Sequence, residues 1–365
     1  MPNPVRLSEL TTLRLGGPAP DLVTVTNADE IADVVGAADR AGSGVLVLGG
    51  GSNLVVADRG IDTPVVRIGV RGIRVDVGVT KSADGSSEVT IGAGENWDEV
   101  VAELTGKGFV EFAPLSGIPG SAGATPIQNV GAYGSEIAEV LTGVTVYDRA
   151  AGLVRDMPAT ELGLGYRHSV LRGTDRAVVS AITVRLHRGD VRVRYAELAR
   201  TLGVQIGAAV PPAQVRAAVL ELRRKKGMVL DPDDPDTYSV GSFFTNPIVG
   251  KDQARVVDEA IKARFGPAVS YPAYPVTGPD GQADPAGRVK LSAAWLIEGA
   301  GFSKGFAGPG GRVALSTKHT LALTNRGGST ADLIALARQI RDGVRDAFTI
   351  SLQPEPMLIG VSLDD

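Results

Sequence analysis

The chain has no cysteine in its 365 residues. This excludes disulfides, thiolate nucleophiles, iron–sulfur clusters and zinc sites with cysteine ligands. Histidine is almost as scarce, because the three histidines, at positions 168, 187 and 319, are scattered and no HExxH pair occurs. We therefore expect no metal site.

Long apolar runs are also missing. None approaches the roughly 18 residues that predict a membrane-spanning helix. The first residues, MPNPVR, lack the apolar core of a signal peptide. We therefore expect a cytoplasmic protein that does not act on a membrane.

Neither sign of charge dominates, and the formal net charge is −4. The chain thus has no basic excess with which to bind nucleic acid non-specifically. Its hydrophobic content of 43% is enough to bury a sizeable core and excludes disorder for most of the chain. The length predicts two domains, or three.

Glycine is the residue present in excess. It accounts for 47 of the 365 residues, where the usual share is about 7%. The first glycine block is GGGSN at 49–53, between apolar runs, and the second is APLSGIPGSAGATPIQNVGAYG at 113–134. Clustered glycine between apolar runs indicates a backbone that approaches a ligand closely.

The first block differs from the Rossmann dinucleotide fingerprint, which needs a helix directly after the glycines. Here Leu54-Val55-Val56 follows, and this run predicts a strand. A glycine-rich turn between two strands can still hold phosphate with successive backbone N–H groups. A plain tight turn is the alternative.

The second block has five glycines within 18 residues, with Pro119 and Pro126 fixing φ between them. Gln128, Asn129 and Tyr133 add polar edges. Bare backbone with a few placed donors and acceptors predicts a site for a flat heteroaromatic ring and a pyrophosphate. An irregular loop is the alternative.

Capping and periodicity predict five helices: one capped by Asn27, one capped by Asn96, one from Pro212 to RRKKG, one near 291–298 and one opening at Ser329. Short apolar runs predict strands at 45–48, 54–56, 65–68, 73–77, 88–91, 144–147, 178–186, 349–352 and 357–361. This mixture predicts an α+β architecture with a domain junction near 205–215. Loops are expected at 81–87, 231–236 and 271–288, the last long enough for a functional lid.

Several short motifs allow two interpretations. GFSKG at 301–305 matches a nucleophile elbow, but we reject it because a helix precedes it and a glycine-rich loop follows. RRKK at 223–226 is most simply a solvated helix end, or it supplies a lysine to a substrate phosphate. Taken singly, Arg167, Ser242 and Glu355 are an exposed arginine, a turn serine and a surface glutamate.

Together these stretches resemble the UDP-N-acetylenolpyruvoylglucosamine reductases, the MurB family, along almost the whole chain. The segments that carry the resemblance are LTTLRLGG (10–17), LGGGSNL (48–54), AGENW (93–97), IPGSAGATPIQNVGAYG (118–134), GYRHS (165–169), GSFFTNP (241–247), AWLIE (294–298) and PEPMLIG (354–360). No single segment is specific, but their number and order are.

The resemblance implies an α+β protein with an FAD-binding fold of the vanillyl-alcohol-oxidase type. Two FAD-binding subdomains are expected at 1–68 and 69–207, followed by an α+β substrate-binding domain at 208–365 whose last strand could return to the first subdomain. The implied reaction is NADPH-dependent reduction of UDP-N-acetylglucosamine enolpyruvate to UDP-N-acetylmuramate. This step belongs to peptidoglycan synthesis and so serves cell-wall formation, cell shape and cell division. A monomer is expected.

The resemblance also implies three catalytic residues. In the family a hydride from N5 of reduced FAD adds to C3 of the enolpyruvyl group. Arg167 matches the arginine that stabilises the resulting enolate-like charge, and Glu355 matches the glutamate at the same carboxylate. Ser242 matches the proton donor to C2, so it needs no adjacent base.

The remaining implied residues bind FAD or the substrate. The implied FAD contacts are Gly49, Gly50, Gly51, Ser52, Asn53, Leu54, Ser116, Gly117, Ile118, Gly120, Gly123, Ala124, Thr125, Gln128, Asn129, Ala132 and Tyr133. The implied substrate contacts are Tyr166, Tyr195, Lys226, Asn246, Tyr274 and Lys290. Residues 227–240 and 276–288 look longer than the family pattern, so Lys225 and Tyr271 stay alternatives to Lys226 and Tyr274.

Two other functions are alternatives to this one. An oxidase of the same fold would pass electrons to oxygen and often binds its flavin through Cys or His, but neither residue occurs in the glycine blocks. A binding protein that had lost turnover would be expected to lack Arg167, Ser242 or Glu355, and all three are present.

Overall fold

The computed structural model describes residues 5–76, 85–276 and 284–364. The chain packs into two units. The first unit consists of the described residues of Met1–Arg6, Pro18–Ser52 and Ile61–Leu230, and the second of those of Leu7–Gly17, Asn53–Gly60 and Asp231–Asp365. The three-domain division expected from the sequence stays a prediction.

Seven α-helices occur in the described residues. They are α1 (Ala28–Arg40), α2 (Trp97–Gly106), α3 (Ala196–Leu202), α4 (Pro212–Lys225), α5 (Lys251–Phe265), α6 (Ala293–Gly299) and α7 (Thr330–Phe348). The five predicted helices are all confirmed, and the predicted caps act as expected. Asn27 accepts the N–H of Glu30, Asn96 caps α2, and Ser329 forms a reciprocal capping box with Asp332.

The strands are short and number twenty-one in the described residues. They are β1 (Val5–Arg6), β2 (Pro18–Ala19), β3 (Leu22–Val25), β4 (Leu46–Leu48), β5 (Leu54–Val56), β6 (Val65–Ile68), β7 (Ile73–Val75), β8 (Ser87–Gly92), β9 (Gly131–Ala132), β10 (Ser135–Glu136), β11 (Leu141–Asp148), β12 (Leu153–Pro158), β13 (Ala177–Leu186), β14 (Val191–Arg192), β15 (Ala209–Val210), β16 (Ile248–Val249), β17 (Ala273–Pro275), β18 (Val289–Leu291), β19 (Val313–Leu315), β20 (Leu323–Asn325) and β21 (Met357–Ile359).

The first unit combines a parallel and an antiparallel sheet. Strands β3, β6 and β4 form the parallel sheet in that order, and β12-β11-β13-β8-β7 form the antiparallel one. Helix α1 packs against β11 and β12, and its Ile31 and Val35 are fully buried in the main core. A smaller core lies under α3 and α4, where Val215 and Val219 are fully buried.

The second unit has its own core around α7. The buried face of this helix includes Leu333, Ile340 and Val344, at the spacing expected for one helical stripe. The last strand, β21, pairs in parallel with β5, so Met357 lies opposite Leu54. The two partners are separated by about 300 residues of sequence, and β5 lies within the predicted first subdomain.

Three elements differ from the sequence-based expectations. The run 349–352 is not a strand, because Thr349 ends α7 in a left-handed conformation with φ 60°. Helices α3 and α5 were not predicted. Helix α5 buries only Val257 and Ile261, so its sequence carries too narrow an apolar stripe to signal a helix. The predicted turn at 81–87 and the lid at 271–288 fall partly outside the described residues.

No helix in the described ranges is both long and apolar enough to cross a membrane. Those ranges also contain no group of three or more His, Asp or Glu side chains placed to hold a metal ion.

The ion pair between Asp39 and Arg149 ties the end of α1 to the turn after β11. The Arg149 Nε donates to the Asp39 carboxylate at 2.9 Å. The Asp39 side chain is only 22% exposed and the Arg149 side chain only 13%. We expect Asp39→Asn to lower the free energy of unfolding by about 1.5 kcal/mol, the scale of a hydrogen bond to a charged group. The measurement is the midpoint of urea unfolding.

The matched control is Glu103→Gln, which removes the exposed Glu103–Lys107 pair on α2. Such exposed i,i+4 pairs contribute about 0.3–0.5 kcal/mol. Equal midpoint shifts in the two variants would contradict the structural role of Asp39.

Candidate functional site

The two glycine blocks meet backbone to backbone in the first unit. A Cβ atom built on Gly50 would lie 2.6 Å from the Cα of Gly120 and 2.8 Å from its carbonyl carbon. A Cβ on Gly120 would in turn lie 2.6 Å from the Ser52 hydroxyl, and Gly120 has φ 123°. Only glycine allows this approach, because real Cβ atoms do not pack so closely against backbone.

The connection between β8 and α2 anchors the second block. The backbone N–H of Trp97 donates to Gly120 O at 3.0 Å, and the N–H of Gly123 donates to Ala93 O at 2.9 Å. A Cβ on Gly123 would lie 3.0 Å from the Ala93 backbone. The AGENW segment at 93–97 therefore holds the second glycine block in its conformation. This explains in structural terms why the two motifs occur in the same chain.

Asp98 fixes the start of the same block. Its carboxylate accepts the Gly117 N–H at 2.6 Å and forms a two-pronged ion pair with Arg216 of α4, at 2.6 and 2.9 Å. Burial on its own would raise the pKa of Asp98, but the hydrogen bonds from Arg216 and Gly117 outweigh it and lower the pKa. Asp98 is therefore charged at neutral pH and holds α4 to the glycine block.

This cradle fits a dinucleotide cofactor. It exposes bare backbone at Gly50 and Gly120, as a pyrophosphate held by N–H groups requires. Ser116 and Thr125 are two of the predicted FAD contacts. Their hydroxyls already donate hydrogen bonds to nearby backbone, to Ala113 O and Ala122 O respectively. While they donate in this way, these hydroxyls can meet a cofactor only as acceptors.

Arg167 lies on a tight two-residue turn closed by mutual backbone hydrogen bonds between Gly165 and His168. It adopts φ 50°, a left-handed conformation that an arginine takes only at a cost of about 1 kcal/mol or more. Its guanidinium donates to Asn129 O at 3.2 Å and to Gly131 O at 2.8 Å. The strained turn thus aims a fixed cation at the second glycine block.

Asn129 organises the backbone around this arginine. Its side chain is buried and bonds to Glu136 at 2.7 Å, to Gly165 O at 3.0 Å and to the Ala138 N–H at 3.1 Å. It also has a positive φ of 47°. The Asn129 amide therefore joins the QN segment to the Arg167 turn, and its predicted contact with FAD stays a prediction.

Three residues predicted separately, Tyr133, Tyr195 and Lys226, lie together in the first unit. The Tyr133 and Tyr195 rings meet edge to face at 5.6 Å, and the Lys226 Nζ lies 5.9 Å from the Tyr133 ring centre. Lys226 also pairs with Glu197 at 2.6 Å. Burial raises the pKa of Tyr133 to about 12, so its phenol stays protonated and can donate a hydrogen bond.

Ser242 and Glu355 lie on adjacent backbone segments of the second unit. The Glu355 N–H donates to Phe243 O at 2.9 Å, and Phe244 pairs antiparallel with Pro354. Ser242 follows Gly241, whose φ of 75° makes the turn that leads into this pairing. The structure therefore brings together two residues that are more than a hundred positions apart in sequence.

Asn53, the last residue of the first glycine block, belongs to the same arrangement. Its backbone O accepts the Met357 N–H at 2.9 Å, and its amide donates to Glu355 O at 3.4 Å. Leu54 follows on β5, opposite Met357. Asn53 and Leu54 thus set the register of the segment that carries Glu355.

Three predicted substrate residues belong to one small sheet of β16, β18 and β17 or its edge. Tyr274 lies directly opposite Lys290 in the β17–β18 pair. Asn246 precedes β16, and its side-chain oxygen accepts the Ala293 N–H at 2.9 Å, at the start of α6. Tyr271 is placed differently, because its hydroxyl donates to Asp258 at 3.0 Å and its ring packs on Trp295. The structure favours Tyr274 as the exposed candidate.

The RRKK run corrects one expectation, because it is not simply a solvated helix end. The buried positions of α4 include Val219 and Leu222, and Arg223 and Lys226 each follow one of them by four residues. Arg223 and Lys226 therefore lie on or beside the buried face, while Arg224 and Lys225 are exposed. The four-residue spacing from Val219 to Arg223 and from Leu222 to Lys226 is visible in the sequence, and it could have separated these two residues from Arg224 and Lys225. Asp98 and Glu197 carried no signal, because their partners are distant in sequence.

Comparisons with known proteins agree with this arrangement. Residues 233–359 match the family model described as UDP-N-acetylenolpyruvoylglucosamine reductase, C-terminal domain, and residues 20–157 match an FAD binding domain. The UDP-N-acetylenolpyruvoylglucosamine reductase of Saccharopolyspora erythraea is 55% identical over 98% of this chain and 95% of its own, and that of Thermobifida fusca is 51% identical over 98% of both.

Among solved structures, the UDP-N-acetylenolpyruvylglucosamine reductase (MurB) of Thermus caldophilus covers 97% of both chains with a TM-score of 0.60 and 24% identity. At that identity the match shows a shared fold. Together with the domain matches it confirms the expected fold class, an α+β FAD-binding fold followed by a C-terminal domain.

The contact of the glycine blocks gives a test of the cradle. We expect Gly50→Ala to force the blocks apart, because the new Cβ would meet the Gly120 backbone at 2.6 Å. FAD affinity should fall by at least about tenfold, equivalent to 1.4 kcal/mol. Equilibrium dialysis with FAD measures the loss.

Gly106→Ala is the control, because Gly106 ends α2 and a Cβ there meets nothing within 4 Å. It should bind FAD like the parent protein. Unchanged FAD affinity in Gly50→Ala would show that the contact of the blocks does not form the cofactor site.

Proposed function

The chain belongs to the family of UDP-N-acetylenolpyruvoylglucosamine reductases, and from this we propose that it is a flavoenzyme that reduces UDP-N-acetylglucosamine enolpyruvate to UDP-N-acetylmuramate with NADPH. The proposal makes it an enzyme of peptidoglycan precursor synthesis, which serves cell-wall formation and, through it, cell shape and division. A cytoplasmic location and a monomeric state are part of the proposal.

The pairing of the Ser242 and Glu355 segments is the observation that carries the proposal. The hydrogen bond from Glu355 N–H to Phe243 O and the bridge between Phe244 and Pro354 fix these two residues as neighbours in the second unit. A proton donor and a carboxyl group are the two side chains that the reduction of an enolpyruvyl ether needs beside a hydride source. Their adjacency supports a common substrate group.

When bound in the glycine cradle, FAD would supply the redox chemistry of the reaction, which is hydride transfer between NADPH and the enolpyruvyl group. Ser242 then protonates C2. A serine hydroxyl is a weak acid, but the carbanion character of C2 makes it a competent donor when it is held in line. Ser242 is half-buried and directly follows the turn at Gly241.

Arg167 stabilises the negative charge that develops on C2 and the adjoining carboxylate. A preorganised cation does this without reorganisation during the reaction. The turn at Gly165–His168 and the hydrogen bonds to Asn129 O and Gly131 O supply that preorganisation. The strain at φ 50° is consistent with such a role, because strained residues cluster at functional sites.

Glu355 contacts the same substrate carboxylate. Two carboxylates in contact would repel each other, so we propose that Glu355 binds in its protonated form or through a hydrogen bond. Pro354 and Pro356 flank it and restrict its backbone to an extended conformation. Asn53 adds a further restraint through its contact with Glu355 O.

For the substrate diphosphate, the structure favours Lys226 over Lys225. Lys225 is exposed and pairs with Glu221 one turn earlier on α4. Lys226 is half-buried beside Tyr133, which in turn contacts Tyr195. Tyr166, Asn246, Tyr274 and Lys290 complete the proposed substrate contacts.

Anaerobic stopped-flow absorbance tests the reaction. The bound flavin is reduced with NADPH and mixed with UDP-N-acetylglucosamine enolpyruvate. Rapid return of the oxidised flavin spectrum, with UDP-N-acetylmuramate formed, is the expected result. A flavin that stays reduced until oxygen is admitted would reject the proposal in favour of an oxidase with another substrate.

Ser242→Ala separates the two half-reactions. Reduction of the flavin by NADPH should stay within about twofold of the parent rate, because it requires no protonation of carbon. Reoxidation by the enolpyruvyl substrate should slow by several orders of magnitude, the scale of the ~10²–10⁴-fold that a general acid typically contributes. Rapid-mixing measurements of both steps check this, and equal slowing of the two would contradict the proton-donor role.

Lys226→Ala and Lys225→Ala form a matched pair. We expect Lys226→Ala to raise the KM for the UDP-linked substrate about tenfold or more, the loss of one charge-assisted contact. Its kcat should change little, because the diphosphate is remote from the reacting carbons. Lys225→Ala should leave both constants unchanged. Steady-state kinetics decide, and the reverse pattern would assign the diphosphate to Lys225.

A further inference from the structure

The LTTLRLGG motif at 10–17 takes no part in the proposed reaction as described so far. It belongs to the second unit, where Leu13 and Leu15 are buried in the core around α7. The Asn325 amide fixes the backbone between them, because it donates to Leu13 O at 3.2 Å and to Arg14 O at 3.3 Å. The motif is therefore a fixed point of that unit.

Thr12 extends from this motif to the segment that precedes Ser242. Its hydroxyl donates to Ser239 O at 2.7 Å, across 227 residues of sequence. Two positions later, the guanidinium carbon of Arg14 lies 3.7 Å from the centre of the Tyr238 ring. Two residues of the motif thus hold two consecutive residues of the 231–241 segment.

Ser239 transmits this hold to Ser242 over three residues. The Ser239 side chain is buried, and its hydroxyl oxygen accepts the Gly241 N–H at 3.1 Å. This bond closes the turn directly before Ser242, where Gly241 has φ 75°. A shift of Ser239 would therefore move the peptide that carries Ser242.

The chain after Ser242 has an anchor that does not involve Thr12. The Phe243 N–H donates to Leu321 O at 2.7 Å, and Phe243 O accepts the Glu355 N–H at 2.9 Å. The Phe243 side chain is fully buried. Ser242 is thus placed between two anchors, and Thr12 supplies the one that precedes it.

We propose that Thr12 is a positioning residue for Ser242. Its hydroxyl fixes the turn at 239–241 and so keeps the Ser242 hydroxyl in line with the carbon that it protonates. The inference rests on the proposed function, because it requires Ser242 to be the proton donor. Alignment matters for this step, since a displacement of about 1 Å at a reacting group can cost on the order of 10²-fold in rate.

A purely structural role for Thr12 is the alternative, and Thr11 provides the comparison. The Thr11 hydroxyl donates to Leu15 O at 2.9 Å, and Thr11 O accepts the Arg14 N–H at 3.2 Å. Both of these bonds stay within the motif. Thr11 is also the more buried of the two threonines, so the loss of its hydroxyl shows what a lost hydrogen bond in this motif does to stability.

The test compares Thr12→Val with Thr11→Val in rapid-mixing measurements of both half-reactions. Each substitution removes one hydroxyl and keeps a β-branched side chain. We expect Thr12→Val to slow reoxidation of the reduced flavin by UDP-N-acetylglucosamine enolpyruvate about tenfold to a hundredfold. Flavin reduction by NADPH should stay within about twofold of the parent rate, because it requires no protonation of carbon.

Thr11→Val should leave both rates unchanged, although it should lower the unfolding temperature at least as much as Thr12→Val does. Thr12→Ser restores the donor and should return reoxidation to near the parent rate. Amide hydrogen exchange provides a readout without turnover. Exchange in peptides that cover 239–241 should become faster in Thr12→Val and stay unchanged in Thr11→Val.

Several outcomes would overturn the proposal. They are reoxidation at the parent rate in Thr12→Val, equal slowing of its two half-reactions, equal slowing in Thr11→Val, unchanged exchange at 239–241, and a Thr12→Ser variant as slow as Thr12→Val. Thr12→Ala removes the same hydroxyl with a smaller side chain. If neither Thr12→Val nor Thr12→Ala folds while Thr11→Val does, Thr12 is structural and the proposal fails.

The parent protein separates this inference from the proposed function. If the substrate does not reoxidise the reduced flavin of the parent, the proposed function is rejected and the inference falls with it. If the parent reacts as expected and Thr12→Val reacts equally fast, only the inference is rejected.

Discussion

The approach of Gly50 to Gly120 is the constraint on which the proposed cofactor site depends. A Cβ on Gly50 would meet the backbone of Gly120 itself, so no flexible side chain could move to make room for it. The neighbouring features follow from it. The AGENW segment provides the hydrogen bonds that hold the second block in position, and Asp98 provides the charge that attaches the block to α4.

Charge pairing then distinguishes the cations of α4 and of its C-cap residue, Lys226. Arg216 neutralises Asp98 and is structural. Lys226 pairs with Glu197 beside the two tyrosines, and its contact with the substrate is a proposal. Among the described residues, Arg223 has no such partner, and it lies against Gly117. Helix α4 and its C-cap residue therefore carry three cations in three different environments. The groups around each cation, rather than its being arginine or lysine, distinguish the three.

The sequence predicted the local elements well, because caps and apolar periodicity are local signals. Asn27, Asn96 and Ser329 all cap helices as expected. The prediction failed for α5, which buries only two apolar residues. It also failed for 349–352, where Thr349 ends a helix and no strand begins. In the site, motif residues were found by type and order. Asp98 and Glu197 were not, since pairing across 29 to 118 residues leaves no local pattern.

The same limit explains why the link between Asn53 and Glu355 could not be read from the sequence. Each residue belongs to a recognisable segment, but only the parallel pairing of β5 with β21 makes them neighbours. Through that pairing, the residue that ends the first glycine block also fixes the backbone of the proposed catalytic glutamate. Asn53 and the segment that carries Glu355 are therefore parts of one hydrogen-bonded arrangement. A change of register in β21 would displace Glu355 from Phe243 and from Asn53 together.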